Sequence, residues 1–180
     1  MEEDEKIKKS YFIRDCCISI AVGLIIGIIL LSLFRVSRVE GISMEPTLEN
    51  GEQVLLDLTY QKRNDLKYND IVVFDKKLVS DDYYVKRVIA VEGDKVEIVN
   101  NELGISELYI NGQNINEKYI KEDMITDELT VVVPSGEIFV MGDNRNRSMD
   151  SRESFIGLVS VEDEVYGKVI FNFNNFESVR

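Results

Sequence analysis

The chain has 180 residues, 44% hydrophobic and 30% charged, with a formal net charge of −12. That size and balance allow one globular domain with appendages and exclude a disordered chain. The acidic charge argues against nucleic acid, whose phosphates reward Lys and Arg surfaces.

From Cys16 to Phe34 the chain reads CCISIAVGLIIGIILLSLF, nineteen residues without a charge. At about 1.5 Å per residue such a helix spans roughly 28 Å, close to a hydrocarbon core of about 30 Å. A cleaved leader has a shorter apolar region and a small-x-small site after it, which Leu33-Phe34-Arg35 does not supply. The segment therefore reads as an uncleaved signal anchor. Lys6, Lys8, Lys9 and Arg14 precede it, against Arg35 and Arg38 after it, which puts the N-terminus in the cytoplasm. The expected division is a cytoplasmic segment 1–15, a transmembrane helix 16–34 and an extracytoplasmic domain 35–180.

Cys16 and Cys17 are adjacent at the membrane edge, the chain has no other cysteine, and it has no histidine. The outer domain therefore lacks a disulfide framework, a thiol nucleophile and the usual zinc ligands. Its chemistry has to come from Ser, Thr, Tyr, Lys, Arg and carboxylates, and no metal or cofactor is expected.

Beyond Val39 the pattern is β-rich. Candidate strands are Glu52–Tyr60, Asp70–Lys76, Tyr83–Val91, Lys95–Asn100, Glu107–Gly112, Glu128–Val133, Glu137–Asp143 and Val165–Phe173, each rich in β-branched or aromatic residues between turn formers. Asn111-Gly112 signals a tight hairpin. A single helical turn is expected around Val161–Glu164. Strands at this spacing imply a mainly β protein, an antiparallel sandwich or barrel behind one transmembrane helix. Polar, acidic sequence over about 94–133 breaks the rhythm and reads as a small β insertion or an elaborated hairpin.

Three stretches carry candidate chemistry. GISMEPTL holds Ser43 beside Pro46, whose fixed φ stiffens the turn. In YYVKRVIAV, strand alternation puts Tyr84, Lys86, Val88 and Ala90 on one face and Val85, Arg87, Ile89 and Val91 on the other. A lysine among apolar neighbours loses its charge more readily, because burial lowers its pKa, and a neutral amine can serve serine as a base where histidine is absent. MGDNRNRSMDSR packs Gly142, Ser148, Asp150 and Arg152 together, with Gly142 suited to close backbone approach and Asp150–Arg152 to a charge-assisted pair.

Jointly these stretches resemble the bacterial type I signal peptidases, membrane-anchored serine–lysine endopeptidases. Ser43-Met44-Glu45-Pro46-Thr47-Leu48 matches the family's Ser-Met-x-Pro-Thr-Leu. Tyr84 to Ile89 matches its lysine motif, and Gly142 to Arg152 its Gly-Asp-Asn-Arg-x-x-Ser-x-Asp-Ser-Arg. The resemblance implies Ser43 as nucleophile and Lys86 as general base. It implies Ser148 as the residue that hydrogen-bonds the lysine, and Asp150 with Arg152 as the pair holding the site. Met44 would line the site, Gly142 open the scaffold motif, and the Ser43 backbone N–H stabilise the oxyanion.

The implied substrates are signal peptides of exported preproteins, cut at small-x-small sites at the bilayer surface. Functional association with the export machinery is implied as well. Gly41 stands where some relatives carry an oxyanion-holding hydroxyl, and Ala90-Val91-Glu92-Gly93-Asp94 lacks the usual proline. The competing expectation is a membrane-tethered, non-catalytic β domain that binds exported peptides.

Overall fold

The structure, a computed structural model, describes residues 2–60, 66–77 and 82–178, with side chains from Phe12 onward. Met1 of the expected cytoplasmic segment, the side chains of Lys6, Lys8 and Lys9, and the last two residues of the outer domain lie outside the described residues.

Helix α1 runs Glu2–Leu33. Its stretch Phe12–Leu33 is 22 residues long and none of it is buried. Isoleucine and leucine side chains face outward all round, which water does not tolerate and lipid does. The helix stops at Leu33, and Phe34 opens strand β1 (Phe34–Arg38) rather than closing the span. Sequence pattern misses β1 because FRVSR is short and carries two arginines; its backbone pairing with β2 (Gln53–Asp57) defines it.

Beyond β2 the strands are β3 (Ile71–Asp75), β4 (Tyr83–Val91), β5 (Lys95–Asn100), β6 (Ser106–Ile110), β7 (Gln113–Asn114), β8 (Leu129–Val132), β9 (Glu137–Met141), β10 (Val159–Ser160) and β11 (Val165–Asn172). They form two antiparallel sheets: seven strands in the order β1-β2-β11-β3-β4-β9-β10, and four in the order β7-β6-β5-β8. All eight anticipated strands are present, and the fold is mainly antiparallel β behind one apolar helix. The two-residue strands β7 and β10 are too short to leave a pattern. Val161–Glu164 forms the expected single turn, closed by the Glu164 amide on the Ser160 carbonyl at 3.1 Å and not continued into a helix. Asn111 and Gly112 make the tight hairpin at φ 53° and 78°.

The large sheet is apolar on both faces. Along β3, Val72 and Phe74 enter one core cluster while Ile71 and Val73 enter another. Along β9, Ile138 and Val140 join the first cluster, and Phe139 and Met141 join a third, shared with Val96, Ile98 and Leu108 of the small sheet. β4 carries a bulge between Val88 and Ala90 where it pairs with β9. It overturns the simple alternation: Ala90 packs with Ile89 toward the small sheet, while Val91 returns to the cluster of Val88. One extra residue flips every later side chain to the other face.

Candidate active site

Ser43 lies in the loop between β1 and β2, and that loop is pinned at both ends. The Val39 amide donates to the Glu52 carbonyl at 2.8 Å, and the Gly41 amide to Asn50 Oδ1 at 2.9 Å. Gly41 sits at φ +89°, a conformation that a side chain would strain. Met44 and Leu48 are buried in the core cluster of Val54, Leu56 and Val73, so the residue after Ser43 acts as an anchor for the loop. Asn144 completes the hold: its amide donates to the Ser43 carbonyl at 3.0 Å, and its Nδ2 to the Ile42 carbonyl at 3.0 Å. The Ser43 amide itself donates to no backbone or side-chain acceptor among the described residues.

Lys86 enters from β4, in register with Val72 of β3. It is 3% exposed, and its Nζ lies 2.9 Å from Ser43 Oγ and 2.9 Å from the Val85 carbonyl. Burial, opposed by the Asp150 and Asp143 carboxylates and aided by the Arg152 guanidinium, lowers its pKa to about 8. An ordinary lysine is neutral in roughly one molecule in a few thousand at pH 7; at a pKa near 8 the fraction is about one in ten. Ser43 and Lys86 both line a groove of about 690 Å³, whose walls include Ile42, Val73, Tyr84 and Met149.

The last motif braces both. Gly142 runs against the nucleophile loop so closely that a Cβ there would meet the Ser43 carbonyl oxygen at 2.5 Å and Ser148 Cβ at 2.6 Å, besides colliding with Ser148 Oγ. The Gly142 amide donates to Asp150 Oδ2 at 2.9 Å. Arg152 donates to Asp150 through Nε and Nη2, each at 2.8 Å, and through Nη2 to the Arg145 carbonyl at 2.6 Å. Ser148 departs from expectation: its Oγ is buried and has no hydrogen-bond partner among the described residues, so the expected bond to Lys86 is not made. The amine's second partner is instead the Val85 carbonyl, one residue back in the same strand.

Sequence reasoning missed a second set of buried charges. Arg87 donates to Asp143 through Nε at 2.9 Å and Nη2 at 2.6 Å, with both side chains almost wholly buried. Thr47 Oγ1 donates to Asp143 Oδ2 at 2.5 Å. This triangle ties the serine stretch, the lysine strand and the last motif together. Arg145 is likewise buried and pairs with Glu117 from the connection between β7 and β8. Its motif position was visible in the sequence; its distant carboxylate carried no signal.

Comparison with known proteins gives the family. Residues 13–174 match the family model for signal peptidase, peptidase S26. Signal peptidase I of Bacillus amyloliquefaciens is 34% identical over 189 residues, covering 99% of this chain and 97% of that protein. Signal peptidase IB of Staphylococcus aureus (strain N315) is 38% identical over 183 residues, covering 91% and 90%. A crystal structure of a signal peptidase I from Enterococcus faecalis V583 aligns at 30% identity and a TM-score of 0.47, over 57% of this chain and 95% of that one.

Proposed function

Because the chain belongs to the signal peptidases of peptidase family S26 and has type I signal peptidase function, we propose that it cleaves by acyl transfer from Ser43 with Lys86 as the base. It is a membrane-anchored serine endopeptidase acting on the signal peptides of preproteins. The observation that carries the reading is the 2.9 Å approach of the Lys86 amine to Ser43 Oγ, in a site where burial brings the amine's pKa to about 8.

Neutral Lys86 accepts the Ser43 proton as Oγ attacks the scissile carbonyl. The Ser43 amide, otherwise uncommitted among the described residues, donates to the developing oxyanion. The protonated amine then gives its proton to the departing amine of the mature protein. Lys86 then deprotonates a water that attacks the ester carbonyl; the bond to Ser43 Oγ breaks, the signal peptide leaves with a new carboxyl terminus, and Lys86 returns the proton to Oγ. Asp150 and Arg152 keep the Gly142 strand end in register, and Gly142 lets that strand end lie against Ser43.

The cut falls at small-x-small sites just outside the bilayer. The charge bias around the apolar stretch, Lys6, Lys8, Lys9 and Arg14 before it and Arg35 and Arg38 after it, supports segment 1–15 in the cytoplasm, a span from Cys16 to the end of α1 at Leu33, and the β domain outside. The chain from Phe34 to Ser43 reaches at most about 30 Å, so nucleophile and cleavage site meet at one depth. The export machinery that delivers preproteins to this face is the expected functional partner.

The test is cleavage of a preprotein by the full-length enzyme in detergent, with the new N-terminus sequenced. Ser43→Ala and Lys86→Met should each abolish it while circular dichroism stays unchanged. Retained cleavage in both variants sinks the dyad, and a folded wild type that binds but never cuts favours the tethered binder.

A further inference from the structure

The mechanism above leaves two buried guanidiniums unexplained. Arg87 and Arg145 are each 1% exposed, and both are met by one short stretch between β7 and β8. The Tyr119 ring lies over the Arg87 guanidinium, 4.0 Å from Cζ to centroid, with that of Arg145 at 5.9 Å. Glu117 accepts from both terminal nitrogens of Arg145, and from the Tyr119 hydroxyl at 2.6 Å. Two residues further on, the Lys121 amide donates to the Asp143 carbonyl at 3.1 Å, and its Nζ to Glu45 Oε2 at 2.6 Å.

We propose that residues 117–121 form a strap that positions the reacting pair, with Tyr119 as its key positioning residue. The contacts lead to Ser43 from both sides. On one side Tyr119 covers the face of Arg87, whose edge holds Asp143, which in turn holds Thr47, four residues past Ser43. On the other side Glu117 fixes Arg145, whose Nε donates to the Gly142 carbonyl at 3.0 Å. Gly142 is the residue against which the Ser43 carbonyl rests.

Ring and carboxylate divide the work by geometry. A guanidinium offers its edge to oxygen acceptors and its face to an aromatic ring, so Arg87 is fully engaged only with Tyr119 in place. Burial, reinforced by Glu117, pushes the Tyr119 phenol well above its ordinary range, so it remains a donor to Glu117 throughout the working pH range. Arg87 lies next to Lys86 in the chain, so a guanidinium free to tilt moves the strand that carries the base. The insertion is therefore part of the active site's scaffold.

The inference rests on Ser43 and Lys86 being the reacting pair, and the experiment separates the two. In full-length enzyme, Tyr119→Ala should lower kcat about tenfold or more with KM changed less than about threefold, since small misplacements of reacting groups cost rate rather than binding. Tyr119→Phe keeps the ring over Arg87 and should recover kcat to within about twofold of wild type. Glu117→Gln, which weakens the Arg145 pair without emptying its site, should lower kcat with KM again little changed, and reads the strap even if Tyr119→Ala does not fold. Ser43→Ala is the control. If it is inactive while Tyr119→Ala or Glu117→Gln turns over like wild type, the strap is overturned and the dyad stands. If Ser43→Ala still cleaves, the dyad reading falls first.

Discussion

Lys86 and Arg87 are neighbours on β4, both buried, and they meet burial in opposite ways. Arg87 binds the Asp143 carboxylate through two hydrogen bonds, at 2.9 and 2.6 Å. Among the described residues Lys86 hydrogen-bonds a hydroxyl and a carbonyl and no carboxylate, and its pKa falls to about 8. One strand thus holds a paired cation on one side and a titratable amine on the other, which separates bracing from proton transfer.

The first consequence is a pH profile. Catalysis needs the neutral amine, so kcat/KM should climb about tenfold per pH unit below a pKa of about 8 and level off above it. Initial rates on a preprotein between pH 6 and 10 measure this. A limb near the ordinary lysine value would contradict the burial of the amine.

Stability should move the other way when Lys86 is removed. Its folded pKa lies below its unfolded value of 10.5, so at pH 7 the folded site carries a desolvated charge, and that cost is relieved as pH rises from about 8 to about 10.5. At 1.36 kcal/mol per pKa unit the cost is of the order of 3 kcal/mol. Lys86→Met should therefore unfold at a higher temperature than wild type at pH 7, with the gap narrowing by pH 10. Thermal denaturation at the two pH values decides it.

Gly142→Ala should cripple the enzyme. The new methyl would collide with the Ser43 carbonyl and the Ser148 side chain, and overpacking of this kind costs about 1–3 kcal/mol. Relief requires the nucleophile loop to retreat, so activity should fall further than stability. Tm and preprotein turnover measured together test the pairing of the two losses.

Asp143→Ala should be among the most destabilising single changes. It leaves the Arg87 guanidinium buried without its carboxylate and Thr47 without its acceptor, a loss of about 3–5 kcal/mol for a broken buried pair. Urea unfolding reads this. A cost below about 1 kcal/mol, the range of exposed pairs, would mean that the site opens to water.

Ser148→Ala should cost no stability and add up to about 1 kcal/mol, because the hydroxyl is buried without a partner among the described residues. If Ser148 instead bonds Lys86 during the reaction, kcat falls while Tm holds. Measuring both quantities on one variant distinguishes an idle hydroxyl from a transient partner.

The anchor, the eight principal strands, the Asn111-Gly112 hairpin and the candidate residues Ser43 and Lys86 were legible in the sequence because each rests on local chemistry. Helical rise, strand propensity, turn φ and the absence of histidine need no knowledge of distant residues. What stayed hidden was set across the chain. β1 exists because β2 pairs with it, and the flip at Ala90 comes from a bulge against β9. Arg87 finds Asp143 56 residues away, and Glu117 finds Arg145 across the insertion. Ser148 was expected on the amine, yet Lys86 bonds Ser43 and the Val85 carbonyl and not Ser148. Sequence determined which groups could react, since side-chain chemistry belongs to each residue; tertiary structure decided which of them touch and which lose water, because contact and burial belong to the folded chain alone.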